Sequence, residues 1–147
     1  MDGPPPPEED FTSLPISERV AHKNWKARVS GYEYLIKTFE NSASDNDPVF
    51  KPYLNNSDLL RRIVTDANAV AQEKGVECIV TLVKFAGENA AKTRDTVVPA
   101  LVDKCLGSTR SGTRNQAIEV ILQYVEVENG GAGVVVNNFS GSTWIII

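Results

Sequence analysis

The sequence predicts an all-α solenoid of about three helix–turn–helix repeats, and two observations lead to this prediction. Three nine-residue segments align without gaps at offsets of 44 and 42 residues: GYEYLIKTF from Gly31, GVECIVTLV from Gly75 and AIEVILQYV from Ala117. Helical spacing of apolar residues also runs from Leu14 to about Glu128, and an alternating strand pattern appears only in the last seventeen residues. Two helices in 42 to 44 residues are typical of HEAT-like and armadillo-like repeats.

Each aligned segment is predicted to be the second helix of a repeat. Its small first residue shares one helical face with the apolar residues four and eight positions later, and it should let a neighbouring helix approach closely. The third residue is always glutamate and should face solvent. Three further apolar pairs widen the stripe: Tyr32 with Ile36, Val76 with Val80, and Ile118 with Leu122. Each such helix should bury itself against one helix before it and one after it.

The first helix of each repeat is less regular in sequence. These helices are predicted at about residues 15–22, 57–66 and 92–106, and a turn-rich segment at 48–54 precedes the second. Pro99 lies inside the third and should kink it, because proline removes one helical hydrogen bond. The turns between paired helices should line up along one edge of the stack. Asn24, Asn68, and Ser111 or Thr113 are suitable N-caps for the second helices.

The residue types argue against catalysis and against metal or cofactor binding. His22 is the only histidine, and the sequence contains neither a C-x-x-C pair nor a phosphate-binding loop. Cys78 and Cys105 are predicted to be two buried thiols rather than a disulfide. The sequence contains no run of eighteen apolar residues, so it predicts no membrane span. The net charge of −4 is concentrated in residues 1–10, so the body is balanced, and no nucleic-acid partner is expected.

The two ends of the chain differ from the repeats. Residues 1–12 combine four prolines with acidic side chains and predict a disordered lead-in. The repeats are then expected at about 13–45, 48–88 and 91–128. Residues 131–147 hold no charge and end in Trp144 and three isoleucines, so they predict a β-prone, aggregation-prone tail. We interpret this tail as an altered end, such as a retained intron or a truncated gene model, and the third repeat lacks a polar cap.

Three segments of the sequence resemble those of one known protein family. They are SLPISERVAHKNWKARVSGYEYL, DANAVAQEKGVECIVTLV and PALVDKCLGSTRSGTRNQAIEVILQYVE. Together they closely resemble the first three repeats of a TOG domain, in particular the first TOG domain of a fungal microtubule polymerase and plus-end protein. The resemblance covers about residues 13–130, the N-terminal half of such a domain. It implies a paddle of HEAT-like repeats whose turn edge grips the α/β-tubulin heterodimer and promotes plus-end polymerisation and spindle organisation.

The resemblance also implies which residues contact tubulin. They are Trp25, Lys26, Asn68, Val70, Arg110 and Arg114. Trp25 would lie on β-tubulin. From the residues alone, Trp25 is equally consistent with a core position, and the two arginines are consistent with an ordinary solvated helix start.

Two other interpretations remain open from the sequence. Periodicity alone permits a generic HEAT-repeat scaffold for another protein, and the altered tail permits a non-functional truncated product. A tubulin-binding chain is expected to be a monomer without cofactors, metal, membrane contact or enzymatic activity. The resemblance implies a place in the cytoplasm and the cytoskeleton, at microtubule plus ends, the spindle, the spindle pole body and the kinetochore.

Overall fold

The computed structural model describes residues 10–128, which form seven α-helices and two 3₁₀ segments. The α-helices are α1 (Ile16–Val20), α2 (Trp25–Glu40), α3 (Lys51–Leu54), α4 (Ser57–Val64), α5 (Ala69–Ala86), α6 (Arg94–Lys104) and α7 (Ser111–Glu128). The 3₁₀ segments are Pro48–Phe50 and Gly87–Thr93. This part of the chain contains no strand, so the all-α prediction is confirmed for it. The predicted tail at 131–147 and most of the lead-in lie outside the described residues.

Three helix pairs stack in chain order. The pairs are α1 with α2, α4 with α5, and α6 with α7. Within the stack, α2 packs on α5 and α5 packs on α7, while α4 packs on α6. The second helices therefore form one layer and the first helices another, with a continuous core between them. This is the solenoid of neighbour contacts that the repeats predict.

The described body begins slightly before the predicted boundary at residue 13. The ring of Phe11 lies 5.4 Å from that of His22, centroid to centroid. The Leu14 backbone N–H also donates to the Phe11 carbonyl at 3.0 Å. Phe11 is thus already part of the first repeat, because it covers the turn between α1 and α2.

The predicted stripes on α2 and α5 are buried. Leu35 and Phe39 are each 1% exposed, and Ile79 and Val83 are 0% exposed. These are the positions four and eight residues after the small first residue. The gapless alignment therefore predicts the buried faces of the first two repeats correctly.

On α7 the predicted stripe is wrong beyond its first residue. Ala117 is buried, but Ile121 is only partly buried and Val125 is 37% exposed. Val120 and Tyr124 take their places in the core at 0% and 1% exposure. The Tyr124 hydroxyl lies 2.7 Å from Thr93 Oγ1, in the 3₁₀ segment before α6. The helix therefore turns a different face inward, because among residues 10–128 no later helix packs on it as α7 packs on α5.

The predicted widening of the stripe also fails on α7. Ile118 is 48% exposed and Leu122 is 54% exposed. Their counterparts on α2 and α5 are buried or partly buried, because α5 covers α2 and α7 covers α5. Within residues 10–128 no further helix covers α7 in this way.

The first helices are shorter than predicted. α4 ends at Val64, so Asp66 lies in the following turn. Residues 92 and 93 belong to the 3₁₀ segment, and α6 begins at Arg94 with Pro99 inside it. The segment predicted as turn-rich at 48–54 is a 3₁₀ turn followed by α3. This segment adds Phe50 to the core, where its ring centroid lies 5.4 Å from the centroid of another aromatic ring.

The small residue that opens each aligned segment allows close helix packing, as predicted. A Cβ on Gly75 would lie 2.6 Å from the Ile63 carbonyl oxygen of α4. A Cβ on Gly31 would lie 2.9 Å from Val20 Cγ1 of α1. The contact at Gly75 is with backbone, which cannot move aside as a side chain can, so this position requires glycine.

Gly75→Ala should therefore lower the free energy of unfolding by about 1–3 kcal/mol, because the new methyl group overpacks the α4–α5 contact. Urea denaturation followed by circular dichroism measures this. Gly107→Ala is the matched control, since no atom lies within 4 Å of its Cβ position. It should change the free energy of unfolding by less than about 0.5 kcal/mol. Equal stabilities of the two variants would contradict the close-packing argument.

Candidate functional site

The turns between paired helices lie side by side at one end of the stack. They comprise residues 21–24, 65–68 and 105–110. Side chains at the start of α2 and α5 contact the neighbouring unit's turn, as described below. We call these three turns, with the first helical turn that follows each, the turn edge. It is the row of stacked turns that the repeats predict.

One hydrogen bond recurs at the same position in all three turns. His22, Asp66 and Ser108 are related by the repeat offsets of 44 and 42 residues. Each accepts from the backbone N–H two residues later: at His22 Nδ1 over 2.9 Å, at Asp66 Oδ1 over 3.0 Å and at Ser108 Oγ over 3.1 Å. Three different side chains therefore give the turns the same local closure.

The predicted N-caps are present in the first two repeats only. Asn24 Oδ1 accepts a backbone N–H of α2 at 2.9 Å, and Asn68 Oδ1 accepts two from α5 at 2.9 and 3.0 Å. The third cap prediction is wrong, because Ser111 is already the first residue of α7. Thr113 lies inside the first turn, and its buried hydroxyl has no hydrogen-bond partner among the described residues. The position equivalent to the two asparagines is Arg110.

A second recurring contact comes from the start of each second helix. Arg28 Nη1 donates to the His22 carbonyl at 2.8 Å, and Arg114 Nη1 donates to the Ser108 carbonyl at 2.7 Å. The equivalent Gln72 donates through Nε2 to the carbonyl at the end of α4 at 3.0 Å. Sequence analysis missed this set, although the three residues share one column of the gapless alignment. They stabilise the turns by donating to carbonyls of the turn itself or, for Gln72, to the last carbonyl of α4.

A buried ion pair joins the first turn to the second. Arg28 donates to both carboxylate oxygens of Asp66, through Nε at 2.7 Å and through Nη2 at 2.8 Å. The Tyr32 hydroxyl donates to the same carboxylate at 2.8 Å. Burial raises the pKa of Asp66, but the hydrogen bonds from Arg28, Asn68 and Tyr32 outweigh it and hold the pKa below its ordinary value. The carboxylate is therefore charged and fixed.

An exposed ion pair joins the second unit to the third turn. Arg110 donates through Nε to Glu73 Oε1 at 2.8 Å, and its Nη2 lies 2.7 Å from the same oxygen. The side chains are 42% and 33% exposed. The other carboxylate oxygen of Glu73 occupies the space beside Gly112 where a Cβ would lie. Glycine at this position therefore lets Glu73 approach the third turn.

Trp25 is partly buried, between the core position and the exposed position that the sequence leaves open. It is the first residue of α2, and its side chain packs against the hydrophobic core. Lys26 Nζ lies 5.8 Å from the ring centroid. Lys26 itself is exposed. The indole is thus held in place by the core beside an exposed positive charge.

The other predicted contact residues differ in exposure and in whether their polar groups are already hydrogen-bonded. Val70 is 44% exposed and occupies the position equivalent to Lys26 in the next repeat. The Asn68 side-chain oxygen is used in capping α5. Arg110 is paired with Glu73, and Arg114 is bonded to its own turn. The structure therefore places Lys26 and Val70 in register, while Arg114 holds the third turn together.

Among residues 10–128 no cluster of three or more His, Cys, Asp or Glu could hold a metal ion. No helix in that range combines the length and the apolar character needed to cross a membrane. Cys78 and Cys105 are both buried and free, as predicted. Burial raises the pKa of the Cys105 thiol to about 11.

A family model described as the XMAP215/Dis1/CLASP TOG domain matches residues 10–143. The chain belongs to this TOG-domain family. The match includes the whole turn edge and extends beyond α7, through most of the segment that we interpreted as an altered end. That interpretation falls outside the described residues and stays a prediction, as does the assignment to the first TOG domain of a fungal protein.

Two proteins have sequences similar to that of this TOG chain. Spindle pole body component alp14 of Schizosaccharomyces pombe is 38% identical over 123 residues, which are 83% of this chain and 15% of alp14. Protein mini spindles of Drosophila melanogaster is 35% identical over 127 residues, which are 86% of this chain and 6% of that protein. The chain thus spans only a small part of the relatives' length.

A solved structure shares the fold of this TOG chain with a TM-score of 0.70 and 29% identity. The match covers 82% of this chain and 25% of the other. That structure comes from work on tubulin recruitment and assembly by microtubule polymerases with TOG domain arrays. The predicted HEAT-like solenoid is confirmed by this likeness.

Asp66→Ala should lower the free energy of unfolding by about 2–4 kcal/mol near pH 7, because it leaves Arg28 and Tyr32 without their partner. The pKa of Asp66 in the folded chain is held below its ordinary value, so the stabilisation is complete above that ordinary value and is lost as pH falls through the folded pKa. The difference between wild type and variant should therefore narrow below about pH 4 in urea denaturation.

Asp58→Ala is the control for this variant. Asp58 pairs with Arg61 on the surface, where the side chains are 76% and 54% exposed. Its loss should cost less than about 0.5 kcal/mol, since exposed pairs contribute little. A loss at Asp66 no larger than that at Asp58 would contradict the role of the buried pair.

Proposed function

We propose that this chain is a binding module for the α/β-tubulin heterodimer and that the turn edge is its contact surface. Membership of the TOG family supports this, as does the likeness to a chain studied for tubulin recruitment. The observation that carries the proposal is the placement of Trp25, Lys26 and Val70. Lys26 and Val70 lie at equivalent positions of neighbouring turns, and Trp25 directly precedes Lys26, inside the range matched by the family.

The chemistry of the turn edge suits a protein partner with an acidic surface. Trp25 combines a fixed ring with partial exposure, which is typical of interface anchors because little conformational freedom is lost on binding. Lys26 adds an exposed positive charge, and Val70 adds a small apolar contact. We propose that Asn68 and Arg114 contribute to tubulin binding by fixing the shape of their turns. Arg110 is proposed to contact tubulin directly through its guanidinium.

We propose that the module acts in the cytoskeleton and catalyses no reaction. The name of alp14 places that relative at the spindle pole body, and the name of mini spindles associates that relative with the spindle. Promotion of plus-end polymerisation, spindle organisation and a place at kinetochores belong to the same proposal. A domain that favours one conformation of tubulin would act by differential affinity.

Trp25→Ala and Lys26→Glu should each weaken binding to unpolymerised tubulin by about tenfold or more, because they remove an anchor and reverse a charge at the edge. Size-exclusion chromatography or sedimentation of the purified chain with tubulin measures this. Binding of the wild type should also weaken with added salt.

Lys37→Glu is the matched control for Lys26→Glu. Both lysines are exposed and both lie on α2, but Lys37 is in the last turn of the helix, away from the turn edge. It should leave binding unchanged. Equal loss in the two charge reversals would contradict the turn edge as the site, and no binding by the folded wild-type chain would contradict the proposed function.

Glu73→Gln should strengthen tubulin binding by about two- to fivefold. The ion pair with Glu73 competes with an acidic partner for Arg110, and an exposed pair is worth at most about 1 kcal/mol. The same titration measures this. In an Arg110→Gln background the substitution at Glu73 should have no effect, and a gain that persists there would show that it does not act through Arg110.

A further inference from the structure

A histidine closes the first turn, whereas the other two turns are closed by side chains that keep one protonation state near neutral pH. The Asn24 backbone N–H donates to His22 Nδ1 at 2.9 Å. The equivalent acceptors are the Asp66 carboxylate and the Ser108 hydroxyl. Histidine is the residue type that ordinarily gains a proton between about pH 5 and pH 8. Of the three turns, the first is therefore the one whose closure depends on a proton.

The direction of this hydrogen bond fixes the form of the imidazole. A ring nitrogen that accepts from a backbone N–H carries no proton, so the His22 ring in the closed turn is neutral and holds its proton on Nε2. Protonation places a second N–H opposite the Asn24 N–H. Rotation of the ring does not restore the bond, because both nitrogens of the cation are donors. Closure is therefore complete with the neutral ring and is lost as pH falls and the ring gains a proton.

The charged groups beside the imidazole on α2 do not favour a further positive charge. Arg28 Nη1 donates to the His22 carbonyl at 2.8 Å, and Lys23 follows His22 directly. The Asp66 carboxylate of the neighbouring unit is bound through both oxygens by Arg28. A proton on His22 would therefore add a cation close to Arg28, and like charges at short range repel.

On its other side the half-buried imidazole packs against Phe11. The two ring centroids lie 5.4 Å apart, with the planes tilted by 58°. Asp10 precedes Phe11, but its carboxylate accepts from the hydroxyl and the backbone N–H of Thr12 at 2.7 and 2.9 Å. Packing thus positions the ring, and the hydrogen bond to Nδ1 then positions Asn24.

The bond at His22 reaches the proposed contact residues through Asn24. Asn24 is the N-cap of α2, where its Oδ1 accepts the Lys26 N–H at 2.9 Å and Trp25 is the first helical residue. A cap holds the first turn of its helix in place. When the Asn24 backbone leaves His22, Trp25 and Lys26 lose the support that fixes them. A partner must then order these side chains as it binds, which lowers the affinity.

We propose that His22 is a positioning residue for tubulin binding and that protonation of its imidazole opens the first turn and weakens binding, an inference that rests on the proposed function. A protonated imidazole also adds one positive charge facing an acidic partner. That charge alone would strengthen binding by up to about fivefold. The two effects have opposite signs, so the direction of the pH dependence distinguishes a positioning role from a simple charge.

Titration of the whole chain with unpolymerised tubulin at about pH 7.5 and about pH 5.8 tests the effect on binding. His22→Asn keeps a side-chain oxygen that accepts at both pH values, as asparagine does in turns of this kind. Wild type should lose at least about fivefold more affinity than His22→Asn on going to the lower pH. The pH response of tubulin itself is common to both titrations. His22→Ala should bind more weakly than His22→Asn at both pH values, because it has no acceptor.

Nuclear magnetic resonance tests the turn itself without tubulin. In a ¹⁵N-labelled chain, an N–H···N hydrogen bond gives a coupling between its two nitrogens. The coupling between the Asn24 amide and His22 Nδ1 should be present at about pH 7.5 and lost at about pH 5.8. The Arg110 amide is the internal control. It donates to the Ser108 hydroxyl, which does not titrate in this range, so its chemical shift should stay constant.

Three results would overturn the proposal. They are a coupling that persists after the imidazole is protonated, an equal pH response of wild type and His22→Asn, and stronger binding of wild type at the lower pH. Failure of the proposed function has a different signature. In that case neither wild type nor His22→Asn binds tubulin at about pH 7.5, whereas the coupling still responds to pH.

Discussion

The bidentate ion pair between Arg28 and Asp66 fixes the relation of the first two repeats, and the turn edge depends on it. Arg28 also donates to the carbonyls of its own turn, so one side chain closes the first turn and binds it to the second. Asp66 in turn accepts from the backbone of its own turn and from Tyr32 in the core. The Asp66 carboxylate thus bonds to the core, to its own turn and to the neighbouring repeat.

The repeats keep their backbone constant while they vary the side chains at the edge. The cap position holds Asn24, Asn68 and Arg110, and the recurring side-chain acceptors are a histidine, an aspartate and a serine. Local closure is maintained by different chemistry in each turn. The exposed positions are therefore free to differ, which is how Lys26 and Val70 come to lie in register with unlike character.

The sequence predicted what depends on local spacing and missed what depends on neighbours. Equal spacing gave the second helices and the buried faces of α2 and α5, because the next second helix packs on each of them. It failed on α7, whose buried face is decided by its place in the stack. Arg28 and Asp66 are 38 residues apart, and no periodicity pairs them. The resemblance named candidate contact residues, but only the structure shows that Arg110 and Arg114 are already bonded.

The two ion pairs that join neighbouring turns differ in how easily they exchange partners. The first is buried and bidentate, with Asp66 only 2% exposed, whereas the second joins two partly exposed side chains, Glu73 on α5 and Arg110 in the third turn. Exposed pairs break and re-form at little cost in free energy. A molecule that approaches the row of turns therefore meets a fixed charge arrangement at one end and an exchangeable arginine at the other.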